Sequence, residues 1–360
     1  MLRLGIVGLP GSGKTSLFRA LTGVVAEIGA AGRREIHVGQ AKVPDARLDR
    51  LFALYQPRKE TPAVVEYVDV AGIKAGETSR SGLEDQFLGD LRTCEALLAV
   101  LRHFEAPGLP LPDPARDFRT LEQEFILSDH IILEKRLHRV KKDIQKLPNR
   151  AEANREIELL ERCLEAMEQE IPLRRLGLKP EEMVLLKSYQ PLSLKPVLAV
   201  LNVGEEDIRR EGEILDRYRP AIEGPGVELA AACASIEMEI AQLDPASARE
   251  FMDDLGIAES ALDRLVRASY HLLGLISFFT IGHDEVRAWT IPRGERARQA
   301  AGEIHSDLER GFIRAEVVHF DDFMAQEGSM PACRAQGLLR QEGKDYIVQD
   351  GDIMEVRFAV

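Results

Sequence analysis

Hydrophobic positions fall into short continuous runs in some parts of the chain and into spaced stripes in others. Leu2 to Val7 is apolar and ends at Gly8, and Lys14 to Leu21 has helix-forming composition, so the amino terminus reads as strand, glycine-rich loop and helix. The runs Ala63 to Val70, Ala96 to Leu101, Val197 to Leu201 and Val227 to Ala232 each end near polar or glycine residues, as strands of a parallel sheet buried on both faces do. Together they predict a doubly wound α/β domain.

Between Leu101 and Val197 the pattern changes. After the proline-rich linker Pro107 to Pro114, Leu133, Leu137, Val140, Ile144 and Leu147 recur every three or four residues. The turn signal Pro148-Asn149 follows, and Ile157, Leu160, Leu164, Met167 and Ile171 resume the same spacing. This predicts an antiparallel helical hairpin inserted into the α/β domain. Beyond about Gly274 strands and turns return: Val286 to Ile291, the turn Pro292-Arg293-Gly294, a helix over Ala297 to Glu309, and Phe312 to Val318. Ile353 to Val360 alternates after the turn Gln349 to Asp352, placing Met354, Val356, Phe358 and Val360 on one face. The expected organisation is a discontinuous α/β domain over residues 1–107 and 191–275, a helical insertion over 108–190, and a small α+β module over 276–360.

Composition narrows this little. With 45% hydrophobic and 30% charged residues, the chain has the balance of a folded protein. No apolar stretch approaches the roughly 20 residues of a spanning helix, which predicts a cytoplasmic protein with no membrane partner. Cys94, Cys163, Cys233 and Cys333 lie far apart and form no CxxC pair, which argues against a zinc site or disulfide framework. Net charge is -13, yet Lys135 to Arg155 holds eight Lys or Arg against two acids. A basic hairpin tip in an acidic protein suits either RNA contact or a solvated coiled-coil face.

The chemistry is carried by Gly8-Leu9-Pro10-Gly11-Ser12-Gly13-Lys14-Thr15, a P-loop between strand and helix. Its glycines let backbone N–H groups curl around a polyphosphate at a helix amino terminus; Lys14 reaches the β- and γ-phosphates, and the Thr15 hydroxyl ligates Mg²⁺. Leu9, Pro10, Gly11, Ser12, Gly13, Lys14, Thr15 and Ser16 are therefore candidate nucleotide-binding residues. Asp69-Val70-Ala71-Gly72 supplies a carboxylate for Mg²⁺ and a glycine N–H for the γ-phosphate, so Lys14, Asp69 and Gly72 are the catalytic candidates, with Thr15 and Asp69 as metal ligands. The residue after that glycine is a water-orienting glutamine in Ras-like GTPases and Ile73 here, so the attacking water is positioned by another group or hydrolysis is slow.

Asn202-Val203-Gly204-Glu205 ends a strand where guanine-specific proteins carry Asn-Lys-x-Asp. Displacing the carboxylate by one methylene spoils its fit to guanine, while Asn202 can pair with adenine N6 and N7, which favours ATP over GTP. Asn202, Val203 and Glu205 are base-site candidates. Ala234 and Ser235, after the last core strand, occupy the place of a loop whose backbone contacts the base.

The order of these motifs resembles the YchF / Obg-like ATPase family across almost the whole chain. Val43 to Leu48, Asp69 to Gly72, Gln86 to Leu88, Asn202 to Glu205, Phe278 to Thr280, Glu285 to Thr290, Gly311 to Glu316 and Gly343 to Tyr346 carry the resemblance. It implies a G domain, a helical hairpin and a carboxy-terminal TGS domain of β-grasp type, with ATP usually preferred and association with ribosomes. Two stretches depart from the family pattern. Gly11 to Thr15 stands where Asn-Val-Gly-Lys-Ser is usual, and Gly32 to His37 stands where switch I reads Cys-Thr-Ile-Glu-Pro-Asn, with Arg33 replacing the threonine expected near Mg²⁺. Arg33 or Arg34 is then a candidate to approach the γ-phosphate.

The leading expectation is a slow ATPase acting as a molecular switch, with ribosome or ribosomal RNA bound through the Lys135 to Arg155 tip and the TGS module. A GTPase of the same fold and a nucleotide-sensing adaptor with little hydrolysis are the alternatives. A small-molecule kinase is disfavoured, because no separate substrate-pocket signal is present.

Overall fold

The computed structural model describes residues 2–23, 37–69, 88–146 and 149–359. Its strands in chain order are β1 (Arg3–Val7), β2 (His37–Lys42), β3 (Lys59–Thr61), β4 (Val64–Asp69), β5 (Ala96–His103), β6 (Val197–Val203), β7 (Val227–Ala232), β8 (Leu275–Ile281), β9 (Glu285–Pro292), β10 (Phe312–His319), β11 (Arg340–Glu342) and β12 (Asp352–Phe358). The chain forms two compact units: residues 1–39 with 66–265, and residues 40–65 with 266–360.

The first unit is the expected doubly wound domain. Its sheet runs β2-β4-β1-β5-β6-β7, with β1 parallel to both β4 and β5, and β6 parallel to both β5 and β7. β5 is buried over Ala96–Arg102 and β6 over its whole length, which explains why both read as unbroken apolar runs. The strand order reverses about β1, so the connections leaving the carboxyl ends of β1 and β5 run in opposite directions and frame a crevice there. Helix α1 (Lys14–Thr22) follows β1 directly, burying Leu17, Phe18, Ala20 and Leu21 and ending on Gly23 in the left-handed region.

The hairpin is built as its spacing predicts. After α2 (Ala46–Tyr55), which belongs to the second unit, come α3 (Pro114–Asp143) and α4 (Arg150–Glu168), capped by Asp113 and Asn149 through the N–H groups of Arg116 and Glu152. Leu133, Leu160, Leu164 and Met167 are buried in one core with Cys163, while Leu137 packs at its edge. Leu147 and Pro148 lie outside the described residues. The outgoing and returning chains are tied at the base of the hairpin by Asp129, which is 0% exposed. Its carboxylate accepts from Arg92 (2.7 Å), Leu192 N (2.9 Å) and Ser193 N (2.7 Å). Toward the tip, Arg136 is paired with Glu156 and Lys141 with Glu161, so acids of α4 neutralise part of the basic excess.

The second unit departs from the expected boundaries. Residues 40–65, read as part of the α/β domain, pack with the carboxy-terminal module because β3 adds to β9 in parallel and α2 lies against β8 and β9. The sheet order is β11-β10-β12-β8-β9-β3, with the first and last strands of the module, β8 and β12, side by side and parallel. Two further details differ. The helix expected over Ala297 to Glu309 is broken at extended His305 into Ala297–Ile304 and Ser306–Arg310. Burial along β12 does not simply alternate: Ile353 and Met354 are both buried, whereas Phe358 is 42% exposed, so both faces are covered at the start of the strand and the cover thins toward its end. Among the described residues, no helix is long and apolar enough to cross a membrane.

Candidate nucleotide site

The P-loop leaves β1 and turns back on itself through an N–H to C=O bond from Ser12 to Leu9 (3.2 Å), with Gly11 and Gly13 both at positive φ. Gly13 has φ +89, and a Cβ there would lie 2.1 Å from Asn202 Nδ2, so only glycine fits. Ser12 is 3% exposed.

β4 neighbours β1 with Asp69 opposite Ile6, which carries a carboxylate distant in sequence to the phosphate loop. Asp69 is 4% exposed, and its Oδ1 has no hydrogen-bond partner among the described residues. Burial raises its pKa, opposed by the Lys14 charge, the Thr15 hydroxyl and the charges of His37 and Arg19. Lys14 is lowered by burial and raised by Asp69. An ammonium, a hydroxyl and a buried carboxylate with one empty acceptor position thus converge beside the loop. That donor set fits a hard divalent cation with oxygen ligands, supplied by Thr15 and Asp69. Gly72, Ile73, Arg33 and Arg34 lie outside the described residues.

At the end of β6, Asn202 is 5% exposed and bridges two loops. Its Nδ2 donates to Ser12 O (2.9 Å), and its Oδ1 accepts from Ala234 N (3.1 Å). The sequence suggests a base contact for this side chain; the structure adds that it ties the P-loop to the loop after β7. Each polar end keeps one further hydrogen-bonding position. Asn202, Val203, Glu205, Ala234 and Ser235 all line one cleft of about 600 Å³, which reaches Gly13 and Ser16 of the P-loop.

The sequence resembles that of "Ribosome-binding ATPase YchF" of Bacillus subtilis (strain 168), with 41% identity over 100% of both chains. The protein of the same name from Pasteurella multocida (strain Pm70) is 41% identical over 99% of both. The chain belongs to the YchF family. A family model described as a 50S ribosome-binding GTPase matches residues 3–136, and a YchF-GTPase carboxy-terminal model, described as a protein of unknown function, matches 275–359. The solved structure of the Schizosaccharomyces pombe YchF GTPase superposes with a TM-score of 0.86 at 30% identity, covering 99% of this chain and 97% of that one.

Several residues that line the cleft are not among the candidates named from the sequence. Phe104 and Glu105 line the cleft directly after β5, where the end of any central parallel strand is a candidate. Met238, Glu239 and Gln242 line it too. They follow Ser235 at the three, four and seven spacing of one helical face, along the helix Ala234–Ile240 and the turn after it. That spacing was a usable signal.

Proposed function

We propose that the chain is a Mg²⁺-dependent ATPase whose nucleotide state sets its association with the ribosome. The observation that carries this reading is the single cleft joining Gly13 and Ser16 to Asn202, Glu205 and Ala234, with Lys14, Thr15 and Asp69 gathered beside the phosphate loop. In this reading the P-loop N–H groups and Lys14 bind the β- and γ-phosphates. Thr15 and Asp69 hold the metal, which when bound neutralises charge on the transferring phosphoryl group. Gly72 donates its N–H to the γ-phosphate. Glu205 accepts from the adenine amino group, and the residual hydrogen-bonding positions of Asn202 meet N6 and N7. The bacterial relatives at 41% identity are named for ribosome binding and ATPase activity, which supports the switch. The exposed Lys135, Arg139, Lys142 and Arg150 suit RNA phosphates at the hairpin tip, with the TGS module as a second contact.

A GTPase is the second reading, favoured by the naming of the fission-yeast relative as a GTPase. Titration of the purified protein with ATP and GTP in Mg²⁺, followed by steady-state phosphate release, separates the two. Tighter ATP binding with slow ATP turnover is expected; tighter GTP binding overturns the assignment of Glu205, and binding without turnover identifies a nucleotide-sensing adaptor. Co-sedimentation with ribosomes should depend on ATP against ADP and weaken when Lys135, Arg139, Lys142 and Arg150 are replaced by Ala.

A further inference from the structure

The loop after β5 is held by one buried side chain. Arg102 is 5% exposed, has no carboxylate partner among the described residues, and donates to Phe104 O (2.9 Å) and Pro110 O (2.6 Å). A guanidinium removed from water and given to these two carbonyls closes the segment between them into a ring. An internal turn, Leu109 N to Ala106 O at 3.2 Å, shapes that ring, with Gly108 at φ +79.

The two ends of the ring touch the two halves of the nucleotide site. Phe104 lines the cleft with Gly13 and Asn202. Leu109, 41% exposed, lies on the phosphate loop: a Cβ on Gly11 would sit 2.6 Å from its Cδ1. Arg102 and Asn202 are register partners on adjacent strands, so one strand end ties the loop at Ala234 to the P-loop while its neighbour ties down the segment that meets Gly11 and lines the cleft.

We propose that Phe104 to Pro110 is a strap across the bound nucleotide, and that Arg102 is the positioning residue that holds it closed and so slows nucleotide release. The inference rests on the nucleotide site proposed above. Arg102 reaches the nucleotide only through the strap, so its loss changes exchange instead of the phosphoryl-transfer groups. Leu109 shields the polyphosphate from water on the Gly11 side, and Phe104 covers the base side.

The test is stopped-flow release of fluorescent ATP and ADP analogues from the full chain, beside thermal melting. Wild-type binding is measured first; its absence would overturn the nucleotide site and the strap together. Arg102→Met is expected to speed release about tenfold, equal to ~1.4 kcal/mol, and Arg102→Lys to restore part of the loss. Leu109→Ala, at a half-exposed position that does not threaten folding, should speed release about threefold, and by much less when added to Arg102→Met, because both act through one strap. Unchanged release in folded Arg102→Met overturns the proposal, as do fully additive effects in the double variant. If Arg102→Met fails to fold, Leu109→Ala alone decides: faster release sustains the strap and unchanged release overturns it.

Discussion

Replacing Asn202 by Ala distinguishes a base reader from a clamp. The substitution removes two buried hydrogen bonds and leaves Ser12 C=O and Ala234 N–H without their partners. An orphaned buried group costs ~1–3 kcal/mol, so the pair amounts to ~2–6 kcal/mol, reduced where water enters from the adjoining cleft. If ~1–2 kcal/mol of this falls on the bound state, affinity drops by a factor of ~5–30. The informative ligands are ATP, GTP and inorganic tripolyphosphate, compared by displacement titration. A clamp that shapes the P-loop predicts a similar loss for all three, because the damage lies at Ser12, under the phosphates. A residue acting only through the base predicts a loss for ATP and none for tripolyphosphate. Unchanged tripolyphosphate affinity together with unchanged melting would refute the bridging role.

Three further outcomes are expected. Asp129→Ala takes from Arg92 its carboxylate partner, leaving it only Gln190 O and the Ser128 hydroxyl, and strands two buried backbone N–H groups, at ~3–5 kcal/mol; it should lower the calorimetric Tm by about 10 °C, and a shift below about 3 °C contradicts the account of that tie. Asp69, whose folded pKa is raised above the ordinary 3.8, holds its proton more tightly folded than unfolded, so stability of the nucleotide-free protein due to it is lost as pH rises through the folded pKa and gained as pH falls, while Mg²⁺-dependent nucleotide affinity falls over the same descent. Denaturant titrations across that range should show this slope in wild type and lose it in Asp69→Asn. Cys94 and Cys163, both buried and pushed up to about 11 by that burial, should resist alkylation at about pH 7.5 until denaturant unfolds the chain; rapid native labelling of either would contradict their placement.

The parts of this fold that were legible are those in which burial imposes a pattern. β5 and β6 are enclosed on both faces, so their sequences are apolar as far as Leu101 and Leu201, and the hairpin buries one stripe, so Leu133, Leu160 and Met167 recur at helical spacing. β3 carries no such mark. Lys-Glu-Thr is polar and three residues long, and it is a strand only because β9 offers it an edge. The same holds for β11, Arg-Gln-Glu, on β10. At the site, the P-loop was legible because phosphate binding needs glycine and lysine at fixed spacing. Arg102 was not, since an arginine at the end of an apolar run gives no sign that it will turn inward onto Phe104 and Pro110. Asn202 was half legible: its residue type and position were clear, but bonds to Ser12 and Ala234 depend on how three strand ends meet.

The placement of β3 also constrains how the protein is made. Thr61 bonds Glu285 across a separation of 224 residues, and both belong to the second unit. At ~5–20 residues per second, the ribosome synthesising this chain needs on the order of ten seconds or more between making β3 and making the strand it joins. For that interval α2 and β3 must wait, with the apolar face of α2 lacking β8 and β9, while the first unit is translated around them. A fragment beginning at Leu275 would carry β9 with an unpaired edge and no α2 to cover it. The second unit is therefore a late-completing fold, dependent on an early segment of the nascent chain, and its assembly is the step most exposed to mispairing and to chaperone capture.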